Sequence, residues 1–196
     1  YYDIAQKPKF EARFGNLWVG KHPTPLQGAY QILSLDFSRV SGQADRLAIN
    51  FNNYCCGALD DFAFVYEAYY YPGFKQEMKE QPDATTKINF LDRQARNCGA
   101  RLYLIIDEYD NFTNVVLNEQ GDEAYHSLTH ASGFYRDVFK MFKGMFERIF
   151  MTGVSPVTLD DLTSGFNIGW NISTEPEFNR MLGFSEEDVR QMLQYY

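Results

Sequence analysis

Apolar positions along this chain fall into two periods. Over residues 43–70, Leu47, Phe51, Tyr54, Ala58, Phe62 and Val65 recur at three- and four-residue steps, the spacing of one helical face. Pro72-Gly73 then ends that helix. A second helix is predicted over 84–97, closed by Cys98-Gly99, and a third over 122–143. Three short segments read as strands: residues 29–36, ending in a carboxylate, the continuous apolar run 102–107, and 148–152. The run Leu102-Tyr-Leu-Ile-Ile-Asp107 has the look of a strand buried on both faces. Strands alternating with helices predict an α/β fold with a parallel sheet.

The rest of the chain reads as connection. Residues 1–14 form a short helical lead-in ending at Gly15, residues 15–28 a loop, and residues 153–173 a loop rich in Ser, Thr, Asn and Gly. Thr174-Glu-Pro-Glu177 and Ser185-Glu-Glu-Asp188 both match the capping-box pattern, so two capped helices are expected to close the chain. The 196 residues fit one domain, with 174–196 as its helical extension.

Composition narrows the class. With 45% hydrophobic and 22% charged residues, a sizeable core is available and global disorder is excluded. The 14 Tyr and 17 Phe make aromatic packing prominent and suggest covered surface or a partner segment. A net charge of −8 removes the basic footprint of a nucleic-acid binder, so direct nucleic-acid binding is disfavoured. Cys55, Cys56 and Cys98 are odd in number and contain no CxxC pair, which encodes neither a disulfide framework nor a zinc ribbon. A reducing, cytoplasmic setting is the simpler expectation. No run reaches the roughly 18 apolar residues of a membrane span. The start at Tyr1-Tyr2-Asp3, without Met, gives the expectation of an internal fragment.

Candidate chemistry gathers where apolar runs meet polar residues. In an open parallel sheet, ligands bind beyond the carboxyl ends of the strands. Asp107 and Glu108 stand at such an end, and neighbouring residues of a strand face opposite sides, so the two carboxylates can take different tasks. Asp107 would hold Mg²⁺ through water, and Glu108 would orient and deprotonate an attacking water. The alternative is that Asp107 caps the following turn and Glu108 is merely solvated. Thr152, at the end of the third run, could hydrogen-bond a γ-phosphate or the attacking water, or simply begin a turn.

Five segments in order carry a resemblance: Leu35-Asp-Phe-Ser38, Ile105-Ile-Asp-Glu-Tyr-Asp110, Thr152-Gly-Val-Ser155, Leu162-Thr-Ser-Gly-Phe-Asn-Ile168 and Leu182-Gly-Phe-Ser-Glu-Glu-Asp-Val189. Together they resemble the bacterial AAA-ATPase-like family, which often precedes a PD-(D/E)XK nuclease-type domain. The resemblance implies an additional-strand P-loop NTPase fold (ASCE/AAA type), a parallel sheet flanked by helices and incomplete at the N-terminus. It implies that Asp107 and Glu108 are a Walker B pair and Thr152 a sensor-type residue. It also implies ATP and Mg²⁺ as ligands of the intact protein, with a downstream nuclease-type domain as a partner and oligomerisation left open. The alternative class is a non-hydrolysing, ATPase-like interaction or regulatory module.

The family's phosphate-binding loop is expected upstream of Tyr1. One segment imitates it: Gly15-Asn-Leu-Trp-Val-Gly-Lys21-His22 satisfies G-x-x-x-x-G-K. A phosphate cradle follows a buried strand and opens a helix, whereas 9–14 is no strand and Pro23 and Pro25 follow. His22 also lacks the hydroxyl that would ligate Mg²⁺. The resemblance further implies that the loop-bearing strand lies between those ending in Asp107 and Thr152. Without it, the gap is expected to close by direct pairing or to be filled by another segment, and ATP binding to be weak or absent.

Other candidates weigh less. His126 and His130, with Asp122 or Glu123, have a helical metal-binding spacing, but Ser127 stands where a metalloprotease needs Glu. Cys55 and Cys56 read as buried, inert thiols. Ser155 lacks the glycines of a nucleophile elbow. The aromatic run 66–71 reads as core packing. The resemblance suggests that the loop holding Asn167 and Asn171 borders a nucleotide. Arg148, Arg180 and Arg190 remain open as arginine fingers.

Overall fold

The computed structural model describes residues 1–40, 44–111, 134–154, 169–181 and 183–195. The chain divides into two compact units, Tyr1–Phe166 and Asn167–Tyr196. In the first, a three-stranded sheet runs β1 (Gln31–Asp36), β2 (Leu102–Asp107), β3 (Arg148–Met151), with every pairing parallel. Its helices are α1 (Phe10–Phe14), α2 (Trp18–Lys21), α3 (Ala44–Tyr66), α4 (Phe74–Glu80), α5 (Ala84–Cys98) and α6 (Phe134–Met145). A mixed α/β architecture with a parallel sheet flanked by helices is what the alternating pattern requires.

The three strands and the helix over 84–97 lie where the periodicity puts them. The first long helix ends earlier than the expected residue 70: α3 stops at Tyr66 and a 3-10 turn covers Glu67–Tyr69. Gly73, at φ 103°, makes the left-handed turn into α4, a short helix that the reading of breakers did not resolve. Asp83 caps α5 through a full capping box with Thr86, and Gly99 at φ 69° closes it. The predicted helix 122–143 is described only from Phe134 onward, as α6.

One sheet face is fully buried. Leu33, Leu35, Leu102, Leu104 and Ile106 share a core with Leu47, Phe51, Leu59 and Phe62 of α3, Ile88 and Leu91 of α5, and Phe139 and Phe142 of α6. On the opposite face, Ile32, Tyr103 and Ile105 are half-buried, and Ser34 and Asp107 are exposed among the described residues. The apolar run of β2 is therefore buried on one face and only partly on the other, because the helices in its core cluster pack against one side.

Polar groups in this core are paired. The Lys87 ammonium, 3% exposed, donates to Asp60 Oδ1 at 2.7 Å and to the Met78 carbonyl at 2.5 Å, tying α5 to α3 and α4. Cys55 is buried in α3 and its thiol is pushed up to about 12 by burial, as an inert packing residue would be. In the aromatic run 66–71, Tyr66 is buried and Tyr70 stacks on Phe74 with ring centroids 3.8 Å apart, while Tyr69 and Tyr71 are exposed. The outer edge of β1 is covered by hydroxyls of α3: Ile32 N–H donates to Tyr66 Oη at 2.9 Å and Asp36 N–H to Tyr54 Oη at 2.6 Å.

β2 and β3 pair directly, Tyr103 opposite Arg148 through Ile106 opposite Met151, so the space between them is closed by pairing. The seam is fastened at its amino end. The Arg101 guanidinium meets both Glu147 oxygens at 2.7 and 2.6 Å and lies 4.4 Å over the Tyr30 ring. Tyr30 Oη donates to the same carboxylate at 3.1 Å. The Arg101 hydrogen bonds, joined by that of Tyr30, bring the Glu147 pKa down from its ordinary 4.5 to about 2, against some desolvation.

In the second unit the helix α7 (Glu186–Leu193) starts at Ser185 with a complete capping box to Asp188, as the pattern predicts. The Thr174 pattern does not make a capped α-helix. Only a 3-10 turn, Pro176–Phe178, forms there, capped by Glu175 without a side-chain bond, because Pro176 fixes the start one residue later. Trp170 packs edge-on against Phe178, and Asn171 Oδ1 accepts from Ser173 N–H at 3.0 Å.

Candidate functional site

The carboxyl edge of the sheet collects the polar residues that end the strands. Asp36 and Asp107 are register partners on β1 and β2. Side chains of directly paired residues leave a sheet on the same face, so the two carboxylates are neighbours there. Asp36 accepts from the Ser38 hydroxyl at 2.5 Å and the Ser38 amide at 3.0 Å, and Arg39 Nε lies 3.2 Å from its other oxygen. The Ser38 hydroxyl, followed by its amide and the Arg39 charge, keeps the Asp36 carboxyl below the usual range, opposed by partial burial.

Asp107 ends β2 and is exposed. Its Oδ1 accepts from the Glu108 amide at 3.1 Å and from the Thr152 hydroxyl in a shorter contact across the seam. Glu108 leaves the strand altogether. Its φ of 50° puts it in the left-handed region, an uncommon state for a residue with a Cβ. The turn, and not strand alternation, therefore sets where its exposed carboxylate goes. Asn111 N–H donates to the Glu108 carbonyl at 3.0 Å, and the Asn111 amide nitrogen donates to the Phe37 carbonyl at 3.2 Å, so one residue fixes this turn against the end of β1.

Thr152 is fixed from both sides of its peptide units. Its amide donates to Ile106 at 2.9 Å and its carbonyl accepts from Tyr109 N–H at 3.1 Å. Asp110, 2% exposed, accepts from Val154 N–H with both oxygens at 3.2 Å. Gly153 lies so close that an added Cβ would be 2.5 Å from Tyr109 Cε1 and 2.6 Å from Asp110 Oδ1.

Asp107, Glu108 and Thr152 thus meet at one edge. Arg148 does not join them, since it begins β3 at the opposite end of the sheet. Arg39 is an arginine found at the carboxyl edge, and its position three residues past a strand run gave no signal for this. Nor did sequence reasoning assign a role to Asp110, whose partner is 44 residues away. Arg180 and Arg190 belong to the second unit, where Arg190 pairs with Glu186. His126, His130, Asp122, Glu123, Ser155 and Asn167 lie outside the described residues. A cavity of about 220 Å³ sits at the amino end of the sheet, lined by Ile4, Gln31, Tyr69, Cys98 and Arg101, far from the acidic edge.

The segment Gly15–His22 lacks the setting of a phosphate cradle. A short helix, α1, precedes it, and Trp18–Lys21 is a single helical turn that ends before Pro23. Among the described residues no group of three or more His, Cys, Asp or Glu side chains is gathered around a common centre. Mg²⁺ in nucleotide sites takes one or two carboxylates, with water and phosphate completing its shell, so an exposed Asp107 suits that donor set. Also among the described residues, no helix is long and apolar enough to cross a membrane.

The described residues thus form a mixed α/β protein with a parallel sheet flanked by helices, and a carboxylate pair and a hydroxyl stand at its carboxyl edge. The chain belongs to the AAA-ATPase-like family, described as predicted AAA-ATPase, whose model matches residues 1–163. No curated protein and no solved structure matches the chain.

Proposed function

We propose that this chain is the Walker B and sensor part of a P-loop ATPase core that hydrolyses ATP with Mg²⁺ in the intact protein. The observation that carries the reading is the Asp107–Thr152 contact beside a left-handed, exposed Glu108 at the carboxyl edge of a parallel sheet. When bound, Mg²⁺ would neutralise charge on the β- and γ-phosphates. Asp107 would hold that ion, through water. The Glu108 carboxylate accepts a proton from the attacking water and orients it, and the Thr152 hydroxyl reports on the γ-phosphate position or on that water. This reading assigns no phosphate-binding loop among the described residues and takes that loop from the intact protein, as the family resemblance implies. On the resemblance described above, turnover drives a downstream nuclease-type domain, and three free cysteines fit a cytoplasmic setting.

In the protein with its phosphate loop, Glu108→Gln is expected to lower kcat by about 100-fold or more while ATP still binds. Unchanged turnover would remove Glu108 from the mechanism. The 196-residue chain alone is expected to give no calorimetric signal with ATP and Mg²⁺ at millimolar concentration.

A second reading, a non-hydrolysing ATPase-like interaction module, is favoured by one observation: the helical surroundings of Gly15–His22. Binding of ATP without turnover by the wild-type protein would select it.

A further inference from the structure

We propose that Asp110 is a positioning residue that sets the Thr152 hydroxyl and the Glu108 carboxylate relative to each other; this role rests on the function proposed above. A carboxylate that is 2% exposed is costly to bury unless something holds it, and Val154 N–H lies 3.2 Å from each of its oxygens. Val154 follows Thr152 by two residues, and its own side chain is 90% exposed, so its amide is the part of it that the fold uses.

The bond completes a set. Thr152 N–H goes to Ile106, Thr152 carbonyl receives Tyr109 N–H, and Val154 N–H goes to Asp110. Residues 152–154 are thereby docked, bond by bond, on residues 106–110, the turn that contains Glu108. Gly153 is the close-approach point: with a Cβ at 2.5 Å from the Tyr109 ring and 2.6 Å from Asp110 Oδ1, any other residue would force the two loops apart. The first two bonds merely extend the strand ladder. The Asp110 bond acts beyond it, and it is made by a side chain from the turn itself. Asp110 acts through the Val154 amide on where Thr152 stands, and displacements of about 1 Å in such a site can cost 100-fold in rate.

The test is a double-mutant cycle in the full-length protein, with kcat expressed per ATP-binding site. Asp110→Asn turns half of the acceptor into a donor facing Val154 N–H, and Val154→Pro deletes the donor while losing a side chain that is 90% exposed. Each is expected to lower kcat about 10-fold or more with KM for ATP within about twofold, and the double variant to be no slower than the slower single. Wild-type kcat per site in the single variants, or losses that multiply in the double, would overturn the role. Should Asp110→Asn fail to fold, Val154→Pro alone decides by the same split of kcat from KM. Glu108→Gln in the same series separates the two ideas. If it is inactive while Asp110→Asn turns over normally, only the Asp110 role falls. If Glu108→Gln is as fast as wild type, the hydrolytic reading falls and takes this role with it.

Discussion

The Thr152 hydroxyl donates to Asp107 Oδ1 across the β2–β3 seam, joining the last residue of one strand to the first residue beyond its parallel neighbour. The Arg101–Glu147 pair performs the same joining at the other end of the seam. Two strands fastened top and bottom present one continuous edge on which both the metal-binding and the sensing roles proposed here can sit.

Glu108 carries backbone strain that glycine would relieve. A left-handed residue with a Cβ costs about 1–2 kcal/mol, and glycine returns about 0.5–1 kcal/mol of that through its looser unfolded chain. Glu108→Gly is therefore expected to stabilise the chain by about 0.5–1 kcal/mol in urea denaturation, even as it removes the carboxylate. A destabilised variant would mean that the side chain itself supports the turn.

Acid should loosen the amino end of the seam first. The folded Glu147 carboxyl titrates near 2 and its ordinary value is 4.5, so its contribution is fully present above 4.5 and is lost as pH falls from there toward 2. Arg101→Met removes the main cause of the shift. Its stability is expected to be lower at neutral pH but to change less between pH 4.5 and 2 than that of the wild type, followed by circular dichroism at fixed denaturant. Parallel pH profiles would show that this pair contributes nothing to acid sensitivity.

Direct pairing of β2 and β3 can be trapped. Ile105 and Phe150 are register partners, and neighbouring strands lie about 4.8 Å apart, within disulfide reach. Ile105→Cys with Phe150→Cys is expected to oxidise readily in the 196-residue chain. In a longer polypeptide where the loop-bearing strand sits between them, the separation would be about twice that and the crosslink should not form. Equal crosslinking in both would argue that no strand enters there.

Much of the fold could be read directly because it is local. The three strands announce themselves as apolar runs ending in Asp36, Asp107 and Thr152, and Asp83 and Ser185 mark helix starts by patterns a few residues long. What escaped depends on contacts between distant segments. The spacing predicts a helix to residue 70 because Pro72-Gly73 is the first breaker after Val65, whereas α3 stops at Tyr66 and passes into a 3-10 turn. Thr174-Glu-Pro-Glu177 copies a capping box, yet Pro176 shortens the outcome to a 3-10 turn. In the site, Asp107, Glu108 and Thr152 were visible as strand-end polar residues. The left-handed state of Glu108, the Asp110–Val154 bond and the approach of Arg39 to Asp36 arise from how strand ends meet, and single-sequence spacing does not encode that.

The tyrosine hydroxyls on the outer rim of β1 have a consequence for self-association. A bare outermost strand invites a foreign chain to extend the sheet and seed polymers. Here Tyr54 and Tyr66 occupy the outward amides of Asp36 and Ile32, and the backbone of Tyr2 and Ile4 occupies that of Tyr30. Much of that flank is occupied by the protein's own aromatic side chains and leading segment, which hinders recruitment of a strand there.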